Sequence, residues 1–96
     1  MTVREHVHLL RQEILAAAEE HGARDVRLFG SAARGQETAA SDVDVLIALE
    51  PGRTLLDLAR LEQRLSELLQ REVDVVPESG LQEPFRSMVL RDAIDV

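Results

Sequence analysis

Three aspartates of this 96-residue chain have the type and spacing to act together in catalysis. Asp42 and Asp44 are two residues apart in the β-branched run 42–49, and Asp74 lies in a second such run, 72–76. Residues two apart in a strand share a face, and a parallel neighbour about 4.8 Å away could bring Asp74 beside them. Clustered carboxylates repel one another unless a cation is bound, and Mg²⁺ accepts both carboxylate and phosphate oxygens. The pattern therefore predicts a metal site that works with a nucleotide.

A second group of residues has the chemistry to bind phosphate. Gly30 and Ser31 follow the run 25–29, where a strand would end in a short helical turn. Such a turn presents backbone N–H groups and a hydroxyl together, and glycine lets the backbone approach a ligand closely. Arg34 could clamp a phosphate or be one more exposed arginine. Each feature alone also suits an ordinary turn or a solvated strand face, whereas their combination points to nucleotide chemistry.

Periodicity and turn residues define the elements that must position these side chains. Apolar residues spaced three and four apart predict one helix over residues 3–21, ended by Gly22 in a left-handed conformation. A short helical turn and a loop are expected over residues 32–41. Alternating or β-branched runs predict three strands, at residues 25–29, 42–49 and 72–76.

Two more helices are expected in the C-terminal half. Thr54 caps a helix that runs to about Arg71, with leucines along one face and Asp57 placed to favour its dipole. The last helix follows Pro84 and is expected to carry three apolar side chains inward: Phe85, Met88 and Val89. The tail, residues 93–96, could add a short extended piece.

The connections between the strands indicate the topology. A helix-length crossover joins the second and third strands and favours parallel pairing, while the shorter connection between the first two allows antiparallel pairing. The expected fold class is therefore α/β (α+β), a small mixed three-stranded sheet with flanking helices. Length and the lack of any linker predict a single domain over residues 1–96.

Composition narrows the class of partner. Eighteen acidic residues oppose eleven basic ones, all arginine, which gives a formal net charge of −7. This balance argues against direct nucleic-acid binding, and the lack of lysine excludes Schiff-base chemistry and a P-loop. Cysteine is absent, which excludes disulfides and fits the cytoplasm. The apolar runs are too short to span a bilayer, so no association with a membrane is expected.

Two runs of the chain resemble the signature of a known family. They are Gly-Ser-Ala-Ala-Arg-Gly, residues 30–35, and Ser-Asp-Val-Asp-Val-Leu, residues 41–46. Together they are similar to the nucleotidyltransferases of the DNA polymerase β superfamily, and more narrowly to the minimal nucleotidyltransferase (MNT) clade. Many members of that clade are antitoxins encoded beside HEPN-domain ribonuclease toxins. The resemblance covers almost the whole chain, with one departure at Ala32, where many relatives carry a larger or basic residue.

The resemblance implies a polymerase β-like nucleotidyltransferase fold and a role for each residue of the two runs. Asp42 and Asp44 would hold two Mg²⁺ ions, and Asp74 would bind one of them and help to activate the attacking hydroxyl. The nucleotide-binding residues would be Gly30, Ser31 and Arg34. An acceptor hydroxyl would attack the α-phosphorus of a nucleoside triphosphate, expected to be ATP, and pyrophosphate would leave.

The acceptor site is expected to be shallow or to be supplied by another protein, because the catalytic core occupies essentially all 96 residues. The resemblance implies transfer of AMP to a tyrosine of a HEPN-type toxin, with this chain as its antitoxin. A small-molecule acceptor such as an aminoglycoside is disfavoured by size. Two readings from other classes remain: a non-catalytic antitoxin that neutralises its partner by occupancy, which the acidic surface would suit, and a structural domain with a solvated acidic strand face.

Overall fold

The computed structural model describes residues 1–96 as five α-helices, four strands and one short 3₁₀ turn. Turns made of charged and small residues separate the segments with helical periodicity from those with strand periodicity, as the sequence indicates. The helices are α1 (Val3–Leu9), α2 (Arg11–Glu20), α3 (Gly30–Arg34), α4 (Leu55–Leu69) and α5 (Phe85–Asp92). The strands are β1 (Ala23–Phe29), β2 (Val43–Leu49), β3 (Val73–Pro77) and β4 (Ile94–Asp95), and the 3₁₀ turn is Glu78–Gly80.

The N-terminal region holds two helices, so the prediction of one helix over residues 3–21 is wrong at Leu10. Its backbone (φ −99°, ψ 17°) lies outside the α region, and the chain pivots there between α1 and α2. The apolar spacing continues across the pivot and therefore could not reveal it. At the start of α1 the Thr2 hydroxyl accepts from the Glu5 N–H at 3.1 Å, and the Glu5 carboxylate accepts from the Thr2 N–H at 3.0 Å. This is a complete capping box.

The sheet has the order β3-β2-β1-β4, with four strands in place of the three expected. The pairing of β2 with β3 is parallel and that of β1 with β2 antiparallel, as the connection lengths indicated. The added strand, β4, pairs antiparallel with β1 at Arg27 and Leu28, and the Val96 N–H donates to the Val26 carbonyl at 3.1 Å. Two paired residues are too few to leave a periodic signal in the sequence.

Apolar side chains pack on both faces of this sheet. Alternate residues of β2, namely Val43, Val45 and Ile47, join α1, α2 and α4 in the main cluster. On the opposite face Leu46 packs with Phe29 and Val89 in a smaller cluster beneath α5. Since Asp44 shares the face of Leu46, the carboxylates lie on the side that α5 only partly covers.

The end of α2 and the start of α4 agree with the sequence patterns, whereas β1 begins two residues earlier than expected and α4 ends two residues earlier. Gly22 has φ +74° and ends α2 in the left-handed conformation expected of it. The Asp57 carboxylate accepts from the Thr54 N–H at 3.1 Å at the start of α4. None of the helices combines the length and apolar character that crossing a membrane would require.

Candidate active site

The parallel register of β2 and β3 brings the aspartates together. Asp44 lies directly opposite Asp74, and Asp42 immediately precedes β2, two residues before Asp44. Residues opposite each other in a parallel pair, and residues two apart in one strand, project to the same side of the sheet. Asp44 is half-buried, while Asp42 and Asp74 are exposed to solvent. The three carboxylates therefore share one accessible face at one end of the two strands.

The electrostatics of Asp44 show that these groups interact. Partial burial raises the pKa of the Asp44 carboxyl, and the negative charges of Asp74 and Asp42 raise it further. The Arg34 guanidinium opposes them and lowers the same pKa. The field at Asp44 therefore favours a proton or a cation. A cation that neutralised the neighbouring carboxylates would return Asp44 to its charged form.

The carboxylates supply oxygen ligands suited to a hard cation. No group of three or more His, Asp or Glu side chains is placed to hold a metal ion by protein ligands alone. Mg²⁺ commonly takes only one or two carboxylates and completes its octahedron with water and substrate phosphates. Asp42, Asp44 and Asp74 therefore fit an ion that is shared with a triphosphate, and the chain by itself should bind the ion weakly.

Gly30 joins β1 to α3 directly beside Asp44. Its φ is +69°, and a β-carbon built at this position would lie 2.5 Å from Asp44 Oδ2. Only glycine allows both the left-handed backbone and this close approach. Ser31 follows, half-buried, at the start of α3. Ala32, the position of the departure from the family pattern, is fully buried in the main cluster.

Arg34 at the end of α3 is held by side chains that the sequence did not single out. Its guanidinium pairs with Asp92 Oδ2 at 3.1 Å and donates from Nε to Gln36 Oε1 at 3.0 Å. The side chain remains about half exposed. Arg34 is thus positioned near Asp44, which senses its charge, and it remains accessible to an incoming anion.

The loop that precedes Asp42 is fixed by Arg71, which follows α4. The Arg71 guanidinium donates to the carbonyls of Thr38 at 2.6 Å and Ser41 at 2.7 Å. These bonds join residues 33 and 30 positions apart in the chain. Arg71 therefore positions Asp42 indirectly. No local pattern marks this arginine among the eleven in the chain.

An open cavity of about 240 Å³ lies beside Asp44 under α5. Its walls are Phe29, Gly30, Arg34, Asp44, Phe85, Met88, Val89 and Asp92. The expectation that α5 turns three apolar side chains inward is wrong for two of them. Only Val89 is buried, whereas Phe85 is 54% and Met88 55% exposed. A helix of two turns over a small cluster covers only one such residue, and the other two are left on the cavity wall.

Comparison with known proteins decides the family. Residues 10–95 match the family model of the nucleotidyltransferase domain. The chain belongs to this family. This nucleotidyltransferase is similar along its whole length to the protein adenylyltransferase MntA of Thermococcus cleftensis, at 34% identity over 96 residues that cover 97% of that protein.

Solved structures agree with this assignment. One of a candidate minimal nucleotidyltransferase is 46% identical, with a TM-score of 0.88, and covers 100% of this chain and 97% of that chain. A toxin–antitoxin structure with AMP-PNP is 20% identical, with a TM-score of 0.75 over 88% of this chain and 69% of that chain. The second likeness supports the fold. The expected nucleotidyltransferase fold and the resemblance to minimal nucleotidyltransferases are therefore confirmed.

Proposed function

We propose that this nucleotidyltransferase moves AMP from ATP to a tyrosine hydroxyl of a HEPN-type ribonuclease toxin and so acts as its antitoxin. The observation that carries the proposal is the pairing of Asp44 opposite Asp74, with Gly30 packed against Asp44. The whole-length relative bears the name protein adenylyltransferase, and the nucleotide-bound structure of similar fold is a toxin–antitoxin assembly. Both support a protein acceptor.

In this proposal the three aspartates have different roles at the α-phosphorus of ATP: they bind metal ions, and one of them also helps to deprotonate the acceptor. Asp42 and Asp44 would hold two Mg²⁺ ions, and Asp74 would bind one of them. The bound ions would stabilise the attacking and leaving oxygens of an in-line displacement. Asp74 faces the acceptor hydroxyl and lowers the cost of removing its proton, which passes to the carboxylate and then to water. The new bond joins the acceptor oxygen to the α-phosphorus. The bond between the α-phosphorus and the oxygen that bridges it to the β-phosphorus breaks.

The turn from β1 to α3 binds the triphosphate group of the nucleotide. The backbone at Gly30 and the Ser31 hydroxyl donate to the triphosphate, and Arg34 approaches it from the end of α3. Arg34 can exchange its partner Asp92, 3.1 Å away, for a phosphate oxygen without leaving the surface. Pyrophosphate then leaves from this turn, where Arg34 and the backbone N–H groups offset its negative charge.

Occupancy remains a second candidate function because of one specific observation. The net charge of −7 suits an arginine- and lysine-rich ribonuclease surface, which this chain could cover without chemistry. Asp42, Asp44 and Asp74 would then serve only to attract the partner. The two functions differ in whether the partner gains a covalent AMP.

Calorimetry and co-purification test the proposal. A non-hydrolysable ATP analogue should bind with Mg²⁺ and bind at least about tenfold more weakly without it, because three carboxylates repel an unaccompanied triphosphate. The product of the neighbouring gene should co-purify as a helical protein. Metal-independent nucleotide binding would contradict the metal site. Failure of the neighbour to co-purify would contradict the antitoxin role alone.

A further inference from the structure

The cavity beside Asp44 has a wall of exposed apolar side chains. Phe85 and Met88 lie three residues apart on one face of α5, and both are more than half exposed. Phe29 and Val89, both buried, form the floor between them and β1. Two large apolar side chains exposed side by side indicate a binding surface.

The same cavity is continuous with the proposed phosphate-binding residues. Gly30 and Arg34 line it, and so does Asp44. A nucleotide whose phosphates lie along Gly30 and Arg34 would have its sugar and base within reach of α5. The base is an aromatic ring that must leave water, and a phenylalanine ring with a methionine side chain offers it a stacking surface.

The polar side chains of the cavity are few and all charged: Asp44, Arg34 and Asp92. Asp92 becomes free to accept a hydrogen bond when Arg34 exchanges it for a phosphate oxygen. No Asn, Gln, Ser, Thr or Tyr side chain lines it. The apolar wall therefore contacts the face of a base, and contact with its edge falls to the charged side chains.

We infer that Phe85 and Met88 hold the base of the nucleoside triphosphate by stacking and apolar contact. The inference rests on the proposed function and extends it to the choice of substrate. Purines bind better than pyrimidines because they offer the larger face to the wall. The aromatic side chain of an acceptor protein is the competing occupant of the same cavity.

The test measures the affinities of four ligands with Mg²⁺: non-hydrolysable analogues of ATP, GTP and CTP, and inorganic tripolyphosphate, which has no base. The wild type should bind the two purine analogues several-fold more tightly than the CTP analogue. Phe85→Ala should weaken the purine analogues about tenfold or more, as expected for loss of a base-stacking partner, and Met88→Ala less. Tripolyphosphate affinity should not change in either variant.

Matched variants keep the outcome interpretable. Leu55→Ala removes a side chain that is 81% exposed on α4, away from the cavity, and should bind all four ligands like the wild type. Phe85→Leu keeps the apolar volume without the ring and should fall between wild type and Phe85→Ala. Circular dichroism should show all variants folded, since none of the three residues is buried.

Each other outcome overturns the inference in a distinguishable way. Phe85→Ala binding every nucleotide like the wild type would show that the base lies elsewhere. Normal nucleotide binding by Phe85→Ala with loss of transfer to the partner protein would assign the cavity to the acceptor. Failure of the wild type to bind even tripolyphosphate with Mg²⁺ would overturn the proposed function, and this inference with it.

Discussion

Gly30 lies against Asp44 so closely that a β-carbon on the glycine would come within 2.5 Å of the Asp44 Oδ2 atom. The turn that ends β1 and the Asp44 carboxylate on β2 are thus packed directly against each other. The antiparallel register explains the contact, because Phe29 lies opposite Asp44 and Gly30 follows it. Any side chain at position 30 must displace the carboxylate or the turn.

Gly30→Ala should therefore abolish nucleotidyl transfer and destabilise the fold by about 1–2 kcal/mol or more, because it combines left-handed backbone strain with the contact at Asp44. Gly52→Ala is the matched control, since Gly52 also has positive φ (+87°) but has open space around it. It should lose stability to a similar degree from strain and retain transfer. Urea unfolding and an AMP-transfer assay measure the two effects. Equal loss of transfer in both variants would contradict the contact as the cause.

Asp44→Asn should stabilise the folded protein at neutral pH in the absence of metal. The folded-state pKa of Asp44 is raised above its ordinary value of 3.8, so the ionised form is disfavoured in the folded chain. The penalty is absent below 3.8 and grows as pH rises through the raised value. The gain over wild type should be at most about 1 kcal/mol, because solvent screens a half-exposed carboxylate. Unfolding free energies measured across this pH range test the sign, and a gain at low pH that vanishes at neutral pH would contradict it.

Arg71→Ala should destabilise the protein by about 1–3 kcal/mol, because two backbone carbonyls, of which the Ser41 carbonyl is partly buried, lose a charged donor. It should also weaken binding of a Mg²⁺–nucleotide analogue severalfold, since the loop before Asp42 would no longer be fixed. Arg64→Ala is the control, because Arg64 is exposed on α4 and pairs only with Glu67 at 3.6 Å. That variant should change neither quantity by much. Unaltered nucleotide affinity in Arg71→Ala would show that the loop does not depend on this arginine.

The meeting of the three aspartates could be predicted from the sequence because it depends on two simple regularities. Strand periodicity places Asp42 and Asp44 on one face, and the helix-length crossover imposes the parallel pairing that brings Asp74 opposite Asp44. The left-handed turn at Gly22 was equally local. Features of this kind can be predicted because they depend only on residues close together in the chain or on one common type of connection between strands.

The features that were not predicted depend on distant contacts or on very short elements. The bonds from Arg71 to Thr38 and Ser41 span more than 29 residues, and an arginine carries no sign of its partner. The strand β4 has two residues and adds a fourth strand without a periodic signal. Phe85 was expected inward because helical spacing says which face is apolar, but it cannot say whether another element covers that face.

The most direct measurement of the central claim is the intact mass of the partner protein after incubation with this chain, ATP and Mg²⁺. Wild type should add AMP to the partner, whereas the double variant Asp42→Asn, Asp44→Asn should fold, bind the partner and transfer at least about 10²–10³-fold more slowly. Asp95→Asn, which changes an exposed carboxylate on β4, should transfer like wild type. No mass gain with wild type, together with equal silencing of the toxin by wild type and double variant, would contradict catalysis and establish neutralisation by occupancy.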